Sequence, residues 1–180
     1  MIETHHFGDI TLLITSIDRC DDETRREAER SVTNSLINHA LGDDVTLTHQ
    51  PSGAPCLEGC DMSISISHSA HYAAIALSPT HKIGIDIEEL RPQLRRVAPR
   101  VLSEHEIEAY SNSDSLLLQA WTLKEALYKA ALTPGLDFRR DINLPLPPSS
   151  TTATVLNKPY RIITILTTPT FTLSLVDCQD

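Results

Sequence analysis

The chain has 180 residues, of which 41% are hydrophobic, and a formal net charge of −9 at pH 7. This length and apolar content are enough for one ordinary globular unit with a hydrophobic core. The negative charge argues against nonspecific binding to DNA or RNA, which needs a basic surface. No apolar run approaches the roughly 18 residues of a membrane-spanning helix, and residues 1–6 lack the features of a signal peptide. We therefore expect a cytoplasmic protein that binds neither nucleic acid nor membrane.

The predicted N-terminal half contains several strands and one long helix. A strand is predicted at Ile10–Ser16 and a helix at residues 21–40, because acidic residues from Asp21 onward suit a helix N-terminus and Gly42 suits its end. Shorter strands, separated by proline and glycine, are predicted at residues 45–49, 63–67, 73–77 and 83–88. The four cysteines, Cys20, Cys56, Cys60 and Cys178, are scattered and predict free thiols.

The predicted C-terminal half contains helices at residues 92–101, 103–111 and 115–132, followed by a proline-rich stretch and a closing hairpin at residues 160–166 and 170–176. Ser103 and Glu106 have the spacing of a capping box at the start of the second helix. A role for Glu106 in a functional site is equally open and can coexist with this capping role.

Two carboxylates follow the alternation of the last strand of the N-terminal half. Asp86 and Glu88 are two residues apart, so a strand places both side chains on one face. Ile83, Ile85 and Ile87 then face the core. This pattern predicts an acidic face backed by a buried one.

A third carboxylate lies on the long C-terminal helix. Glu125 and Lys129 are four residues apart and are therefore neighbours on one helix surface, with Trp121 one turn earlier. Together with Asp86 and Glu88, Glu125 would provide the oxygen ligands that Mg²⁺ prefers. The sequence therefore predicts a magnesium site that also includes a lysine.

Each of these residues also has a purely structural explanation. Glu125 and Lys129 form an ordinary i,i+4 salt bridge in many helices. Asp86 and Glu88 fit a solvated strand face, and His68 fits a hydrogen-bonded structural histidine. Taken separately, these explanations do not account for the occurrence of all these residues, in this order, in one chain.

Three segments in this order resemble one enzyme family. They are I-S-I-S-H-S at residues 64–69, G-I-D-I-E at residues 84–88 and W-T-L-K-E-A-L-Y-K at residues 121–129. They resemble the 4'-phosphopantetheinyl transferases of the larger, single-chain type. L-S-E-H-E at residues 102–106 is a softer match, and the resemblance extends over about residues 52–129.

The resemblance implies an α+β fold made of two similar α/β subdomains that pack pseudo-symmetrically around an active site in their seam. Residues 1–90 would form the N-terminal half, with the coenzyme contacts and the first metal carboxylates. Residues 91–180 would form the C-terminal half, with the catalytic helix at residues 115–132 and the closing hairpin. We expect a junction near residues 88–92 and a monomer, because both halves lie in one chain.

The resemblance also implies an activity. The 4'-phosphopantetheine group of coenzyme A would be transferred to a serine of an apo acyl, peptidyl or aryl carrier protein, as in a holo-acyl-carrier-protein synthase, with release of 3',5'-ADP. Mg²⁺ would be held by Asp86, Glu88 and Glu125, and the catalytic residues would be Asp86, Glu125 and Lys129. Lys129 and Lys124 would contact the phosphates. Whether Glu125 or a metal-bound water takes the serine proton remains open.

Further coenzyme contacts are expected in the N-terminal half. Ser67 and His68 would donate hydrogen bonds to coenzyme phosphates, a role that neutral or charged imidazole would serve equally. Arg30, or else Arg26, would contact the 3'-phosphate. Ala54 is a departure, because the family usually has lysine or arginine there.

The arginines after the metal strand predict a docking surface. Arg95, Arg96 and Arg100 would bind an acidic carrier protein, although a solvated basic face is an equal alternative. Two other functions stay open. Ala54 favours a noncatalytic coenzyme A or carrier-binding protein, and the carboxylates alone would suit another metal-dependent phosphotransferase or hydrolase.

Overall fold

The computed structural model of the chain describes residues 1–18, 22–146 and 148–178. Its strands in these residues are β1 Glu3–Phe7, β2 Ile10–Ser16, β3 Thr46–His49, β4 Pro55–Glu58, β5 Ser63–His68, β6 Tyr72–Ser78, β7 Lys82–Glu88, β8 Ile142–Asn143, β9 Thr152–Val155, β10 Lys158–Thr167 and β11 Thr172–Cys178. Its α-helices in these residues are α1 Arg25–Leu41, α2 Leu94–Val97, α3 Glu104–Tyr110 and α4 Asp114–Ala131. The predicted α+β class is confirmed.

The strands form two larger antiparallel sheets and a hairpin. The first sheet has the order β1-β2-β6-β5, the second has the order β7-β11-β10-β9-β8, and β3 pairs with β4. Strand β7 lies before the predicted junction near residues 88–92, yet it pairs with β11 over its whole length. In the pattern of strand pairing, the second sheet therefore begins at Lys82. This position is earlier in the chain than the predicted boundary between residues 1–90 and 91–180.

The two sheets pack face to face, and a long helix covers each outer face. Leu12 and Ala76 of the first sheet share a buried cluster with Ile85 and Leu173 of the second. On the outer sides, α1 packs on the first sheet and α4 packs on the second. Full burial of an isoleucine or leucine side chain contributes about 1.5–3 kcal/mol to the free energy of folding. The interface between the sheets is therefore a main source of stability.

Local capping signals determine where the helices begin and end. Helix α1 begins at Arg25 because the Thr24 side chain accepts a hydrogen bond from Glu27 N, while the Glu27 carboxylate accepts one from Thr24 N. It ends before Gly42, whose φ is 85°. The earlier predicted start at Asp21 lies outside the described residues, as does Cys20, one of the predicted free thiols.

The predicted helix at residues 92–101 is much shorter in the structure. Only Leu94–Val97 is α-helical, and a 3₁₀ turn follows at Ala98–Arg100. Pro99 explains this break, because it has no N–H to donate to the preceding turn. By contrast, α3 and α4 match their predicted ranges to within one or two residues.

Strands β1, β4, β8 and β9 lie outside the predicted elements, and the closing hairpin of β10 and β11 is confirmed. None of the helices in the described part of the chain is both long enough and apolar enough to cross a membrane.

Candidate functional site

Helix α4 lies directly on strand β7 because Gly84 has no side chain. A Cβ atom at Gly84 would lie 1.9 Å from the carbonyl oxygen of Ala126 and 2.7 Å from the amide nitrogen of Ala130. The backbones of helix and strand are therefore in contact, an approach that only glycine permits. This contact brings the α4 residues Glu125 and Lys129 next to the acidic face of β7.

The alternation predicted for β7 is present. Ile83, Ile85 and Ile87 lie in the buried cluster between the two sheets, which confirms their predicted orientation. Asp86 and Glu88 lie on the opposite face of the strand, toward α4. Asp86 is buried, whereas Glu88 is half-buried and forms an ion pair with Arg91.

Lys129 connects the helix with strands from both sheets. Its Nζ lies 2.9 Å from Asp86 Oδ1 and 2.9 Å from the carbonyl oxygen of Ile85 in β7. It also lies 3.3 Å from the carbonyl oxygen of Ile66 in β5. The ammonium thus pairs with Asp86 of β7, rather than with Glu125 one turn earlier on the helix, and reaches β5 across the seam between the sheets.

The three carboxylates are close enough to repel one another. Burial, followed by the charge of Asp86, raises the pKa of Glu125 to about 7. Burial and the charge of Asp86 also raise the pKa of Glu88, and Arg91 opposes this rise. Such a cluster favours the binding of a proton or a cation.

One carboxylate oxygen in the cluster lacks a partner. Asp86 Oδ2 is buried and receives no hydrogen bond, and a buried polar atom of this kind is rare in folded proteins. Among the residues described, no three His, Cys, Asp or Glu side chains are arranged as a preformed metal centre. Still, the unpartnered oxygen and the all-carboxylate donor set fit a hard cation such as Mg²⁺.

Ser67 has a different contact from the one the resemblance implies. Its hydroxyl donates to Asp86 Oδ1 at 2.9 Å and accepts from the amide of Ile87 at 3.2 Å. The side chain is buried. Since a hydroxyl has one hydrogen, Ser67 has none left for the expected contact with a coenzyme phosphate.

His68 is half-buried at the end of β5. Its Nε2 lies 2.7 Å from Thr33 Oγ1, and that hydroxyl donates its one hydrogen to the carbonyl oxygen of Glu29. Nε2 is therefore the donor to Thr33, and burial lowers the pKa of His68. In the neutral ring Nδ1 has no hydrogen, so His68 can donate to a phosphate only when it is protonated. Neutral and charged imidazole are therefore not equivalent here, contrary to the expectation.

Arg25 lies close enough to this histidine for its charge to lower the pKa of His68, although it was not among the predicted coenzyme contacts. Its Nη2 lies 3.4 Å from the carbonyl oxygen of Ser69, and its Nε donates to Glu29 at 2.7 Å. Arg25, Glu29 and Thr33 are spaced four residues apart, so they share the helix face toward β5. This spacing is the signal that could have identified Arg25.

The two arginines that were expected to contact the 3'-phosphate are Arg30 and Arg26. Arg30 lines a separate cavity of about 530 Å³ with Asn34 and His49, and this cavity shares no lining residue with the larger one described below. Arg26 is exposed on α1. In the part of the chain that the structure describes, neither arginine forms a hydrogen bond with His68, and their expected contact with the 3'-phosphate stays a prediction.

Lys124 does not reach the site, so its prediction as a phosphate contact is wrong. It is 0% exposed, and its Nζ lies 2.8 Å from Glu106 Oε2. Glu106 also completes the capping box of α3 with Ser103. The open question on Glu106 is thereby answered, because this carboxylate holds α3 and α4 together and does not join the acidic cluster.

A cavity of about 750 Å³ lies along the seam and is lined by residues of both halves. Its cationic or ionisable lining groups include His81, Lys82 and Lys129, and Ala54 lies in its wall. Lys129 lines this cavity and also contacts Asp86, so it connects the cavity with the acidic cluster. Tyr128, another lining residue, stacks on the ring of Phe138 at 5.0 Å.

The comparisons with known proteins match the part of the chain that contains the acidic cluster. A family model described as the 4'-phosphopantetheinyl transferase superfamily matches residues 82–170, which include β7 and α4. The chain is also 29% identical over 139 residues to the 4'-phosphopantetheinyl transferase HetI of Nostoc sp.. That match covers 69% of this chain and 58% of the relative, so the chain spans less than two thirds of the relative's length.

Proposed function

We propose that the chain is a 4'-phosphopantetheinyl transferase, in line with the superfamily model over residues 82–170 and the 29% identity to HetI. It would transfer the 4'-phosphopantetheine group of coenzyme A to a serine of an apo acyl, peptidyl or aryl carrier protein. The observation that best supports this proposal is the buried Asp86 carboxylate, which has one unpartnered oxygen and pairs through the other with Lys129, a residue that lines the large cavity. Such a grouping suits a reaction in which negative charge grows on a leaving phosphate.

Asp86, Glu88 and Glu125 would hold Mg²⁺. When bound, this ion would neutralise the pyrophosphate oxygens of the coenzyme. The ammonium of Lys129 would be a second positive charge at the site, in addition to the bound ion. This ammonium already lies between Asp86 and the cavity, so it can contact a phosphate placed there.

Glu125 is the proposed base. In the metal-free chain its pKa is raised to about 7, close to the neutral pH at which a general base works best. The serine hydroxyl gives its proton to Glu125 as its oxygen forms a bond to the β-phosphorus of coenzyme A. The bond from that phosphorus to the bridging oxygen breaks, and its electron pair leaves with 3',5'-ADP.

The cavity is the proposed coenzyme site. Lys82, His81 and Lys129 would compensate for the phosphate charges, and they offset the absence of a basic side chain at Ala54. Arg25 and protonated His68 would contact the 3'-phosphate at the end of β5. In this assignment Arg25, whose guanidinium contacts the carbonyl oxygen of Ser69, takes the role that was predicted for Arg30 or Arg26.

The chain would act as a monomer of the larger, single-chain type in the cytoplasm. In support of this, the seam with the acidic cluster is formed by β5 and β7 of one chain. The acidic carrier would dock on Arg96 and Arg100, both exposed. Arg95 is less suited to this role than predicted, because it already pairs with Asp114 at 2.7 Å.

A second function is favoured by Ala54 alone. A chain that lacks a basic side chain at this point of the cavity would suit a noncatalytic coenzyme A or carrier-binding protein. Such a protein would bind its ligand without turnover, so binding and transfer must be measured separately.

The test is intact-mass spectrometry of apo carrier proteins incubated with coenzyme A, Mg²⁺ and this protein. We expect a phosphopantetheine mass gain that requires Mg²⁺ and is lost in Asp86→Ala and Glu125→Ala. Glu108→Ala, which removes an exposed carboxylate of α3, is the matched control and should retain the activity. No gain on several classes of carrier, with coenzyme A still bound in calorimetry, would favour the noncatalytic protein, and hydrolysis of coenzyme A without a carrier would favour a hydrolase.

A further inference from the structure

Two serine side chains join the facing edges of the two sheets. Ser65 Oγ accepts a hydrogen bond from the amide of Ile85 at 3.1 Å, and Ser67 Oγ accepts one from the amide of Ile87 at 3.2 Å. Both serines belong to β5, the last strand of the first sheet, and both amides belong to β7, the first strand of the second. The hydroxyls thus replace a backbone ladder at this seam.

Ser67 makes one contact that Ser65 does not make. The amide of Ile87 occupies an acceptor direction of the Ser67 hydroxyl, and the hydroxyl hydrogen points to Asp86 Oδ1 at 2.9 Å. Hydrogen bonds to a charged acceptor are about twice as strong as neutral ones. The strand that bears Asp86 and the Asp86 side chain are therefore held by the same hydroxyl.

The two oxygens of Asp86 have unequal surroundings as a result. Oδ1 accepts from Ser67 and from Lys129, each at 2.9 Å. Oδ2 is buried and has no partner. Because both donors act on the same oxygen, they fix the rotation of the carboxylate and leave only Oδ2 for a ligand.

We propose that Ser67 is a positioning residue that holds Asp86 so that Oδ2, and not Oδ1, binds a divalent cation. The inference rests on the cation site of the proposed function. It assigns to Ser67 the role of a hydrogen-bond partner behind a metal ligand. Loss of such partners elsewhere lowers metal affinity about 10-fold to 100-fold.

The chain offers a matched control in Ser65. Ser65 and Ser67 are both buried, lie on the same strand and accept from equivalent amides of β7. Replacement of either by alanine leaves one buried amide without its acceptor. Only the replacement of Ser67 also removes a donor to Asp86.

The experiment is calorimetric titration of the full chain with Mn²⁺ and with Mg²⁺, alongside urea unfolding. We expect Ser67→Ala to lower the affinity for both cations about 10-fold to 100-fold, and Ser65→Ala to leave it unchanged. Both variants should lose unfolding stability, and Ser67→Ala should lose more because it also removes the hydrogen bond to Asp86. Ser67→Cys keeps the size of the side chain but has a weak S–H donor, so it should also lower the affinity. It provides a second test should Ser67→Ala fold poorly.

The inference is overturned if Ser67→Ala and Ser67→Cys bind the cations as the unmodified chain does. It is also overturned if Ser65→Ala loses as much affinity, or if the unmodified chain binds neither cation. Failure of the transferase proposal has a different signature, since a chain that binds Mn²⁺ in a Ser67-dependent manner but modifies no carrier protein would retain the inference and reject the activity.

Discussion

The ammonium of Lys124 lies 2.8 Å from the Glu106 carboxylate, and both side chains are almost completely buried, with 0% and 3% exposure. The remaining hydrogens of the ammonium contact the carbonyl oxygens of Phe138 and Ile142. The other carboxylate oxygen accepts from the amide of Leu144. This network connects α3 and α4 with β8 and the residues on either side of it, so it anchors the helix that bears Glu125.

Replacement of Lys124 tests this anchor. Lys124→Met would leave the Glu106 carboxylate buried without its partner, and removal of one member of a buried pair costs about 3–5 kcal/mol. Urea unfolding should therefore show a large loss of stability. Lys82→Met, which removes an exposed lysine, should change the free energy of unfolding by about 0.5 kcal/mol or less.

A double variant separates the charge from the packing. In Lys124→Met/Glu106→Gln no charge remains buried, so we expect part of the lost stability to return. If the two losses simply add, the ion pair is not the reason for the effect of Lys124→Met.

Gly84→Ala tests the contact between α4 and β7. The added methyl group would lie 1.9 Å from the carbonyl oxygen of Ala126, so the helix must move away from the strand. We expect a loss of about 3 kcal/mol in unfolding free energy together with weaker binding of Mn²⁺. Since the clash is with backbone atoms, Ala126→Gly should not rescue the variant, and a rescue by this second substitution would contradict the proposed contact.

The strands with regular alternation could be predicted from the sequence, but those that depend on a partner could not. In β7 the alternation of Ile85 and Asp86 indicates both the strand and its acidic face. Strand β1 has the polar sequence E-T-H-H-F, which carries no alternation of apolar residues. It is a strand because it pairs with β2 over its whole length. The short strands β8 and β9 depend in the same way on β10.

The candidate site was predicted in part for similar reasons. The meeting of Asp86 with Lys129 follows from motifs that each have a regular spacing. The place of Lys124 does not follow from its motif, because adjacent helix residues point about 100° apart. A helix that turns Glu125 toward β7 therefore turns Lys124 toward a different part of the fold. The direction of the Ser67 hydroxyl depends on Ile87 in another strand, which no local pattern reveals.

The raised pKa of Glu125 predicts how stability depends on pH in the metal-free protein. The folded state holds the proton up to a pKa of about 7, whereas the unfolded state releases it near 4.5. The stability that this group contributes is fully present below pH 4.5 and is lost as the pH rises to about 7. Urea unfolding across this range should show Glu125→Gln gaining stability relative to the unmodified chain as the pH rises. A difference that does not vary with pH would contradict the raised pKa.

Charge reversal on the 3₁₀ segment and α2 tests the docking of the carrier. Arg96→Glu/Arg100→Glu places like charges opposite an acidic carrier, so we expect the KM for carrier to rise roughly tenfold while the KM for coenzyme A stays unchanged. Arg139→Glu changes a single exposed charge in the loop before β8 and should have no such effect. An unchanged KM for carrier in the double variant would rule out this surface.

The hydrogen bond from His68 to Thr33 implies that coenzyme A binding takes up a proton. His68 Nε2–H is already donated to Thr33, so a bond to phosphate needs a second hydrogen on Nδ1. Burial, together with Lys129 and Arg25, lowers the pKa of free His68, although Glu29 opposes this effect. The ring is therefore neutral before binding, and a phosphate beside it would raise its pKa. Affinity for coenzyme A should consequently fall as the pH rises.

This proton uptake can be measured by calorimetry in two buffers with different ionisation enthalpies, such as Tris and HEPES. The observed binding enthalpy should differ between them for the unmodified chain, and this difference should be clearly smaller for His68→Gln. His71→Gln is the matched control, because His71 is exposed and pairs with Glu89 at 3.0 Å. If the effect persists with dephospho-coenzyme A, His68 contacts the pyrophosphate rather than the 3'-phosphate. Equal enthalpies in both buffers for the unmodified chain would mean that His68 does not donate to a coenzyme phosphate.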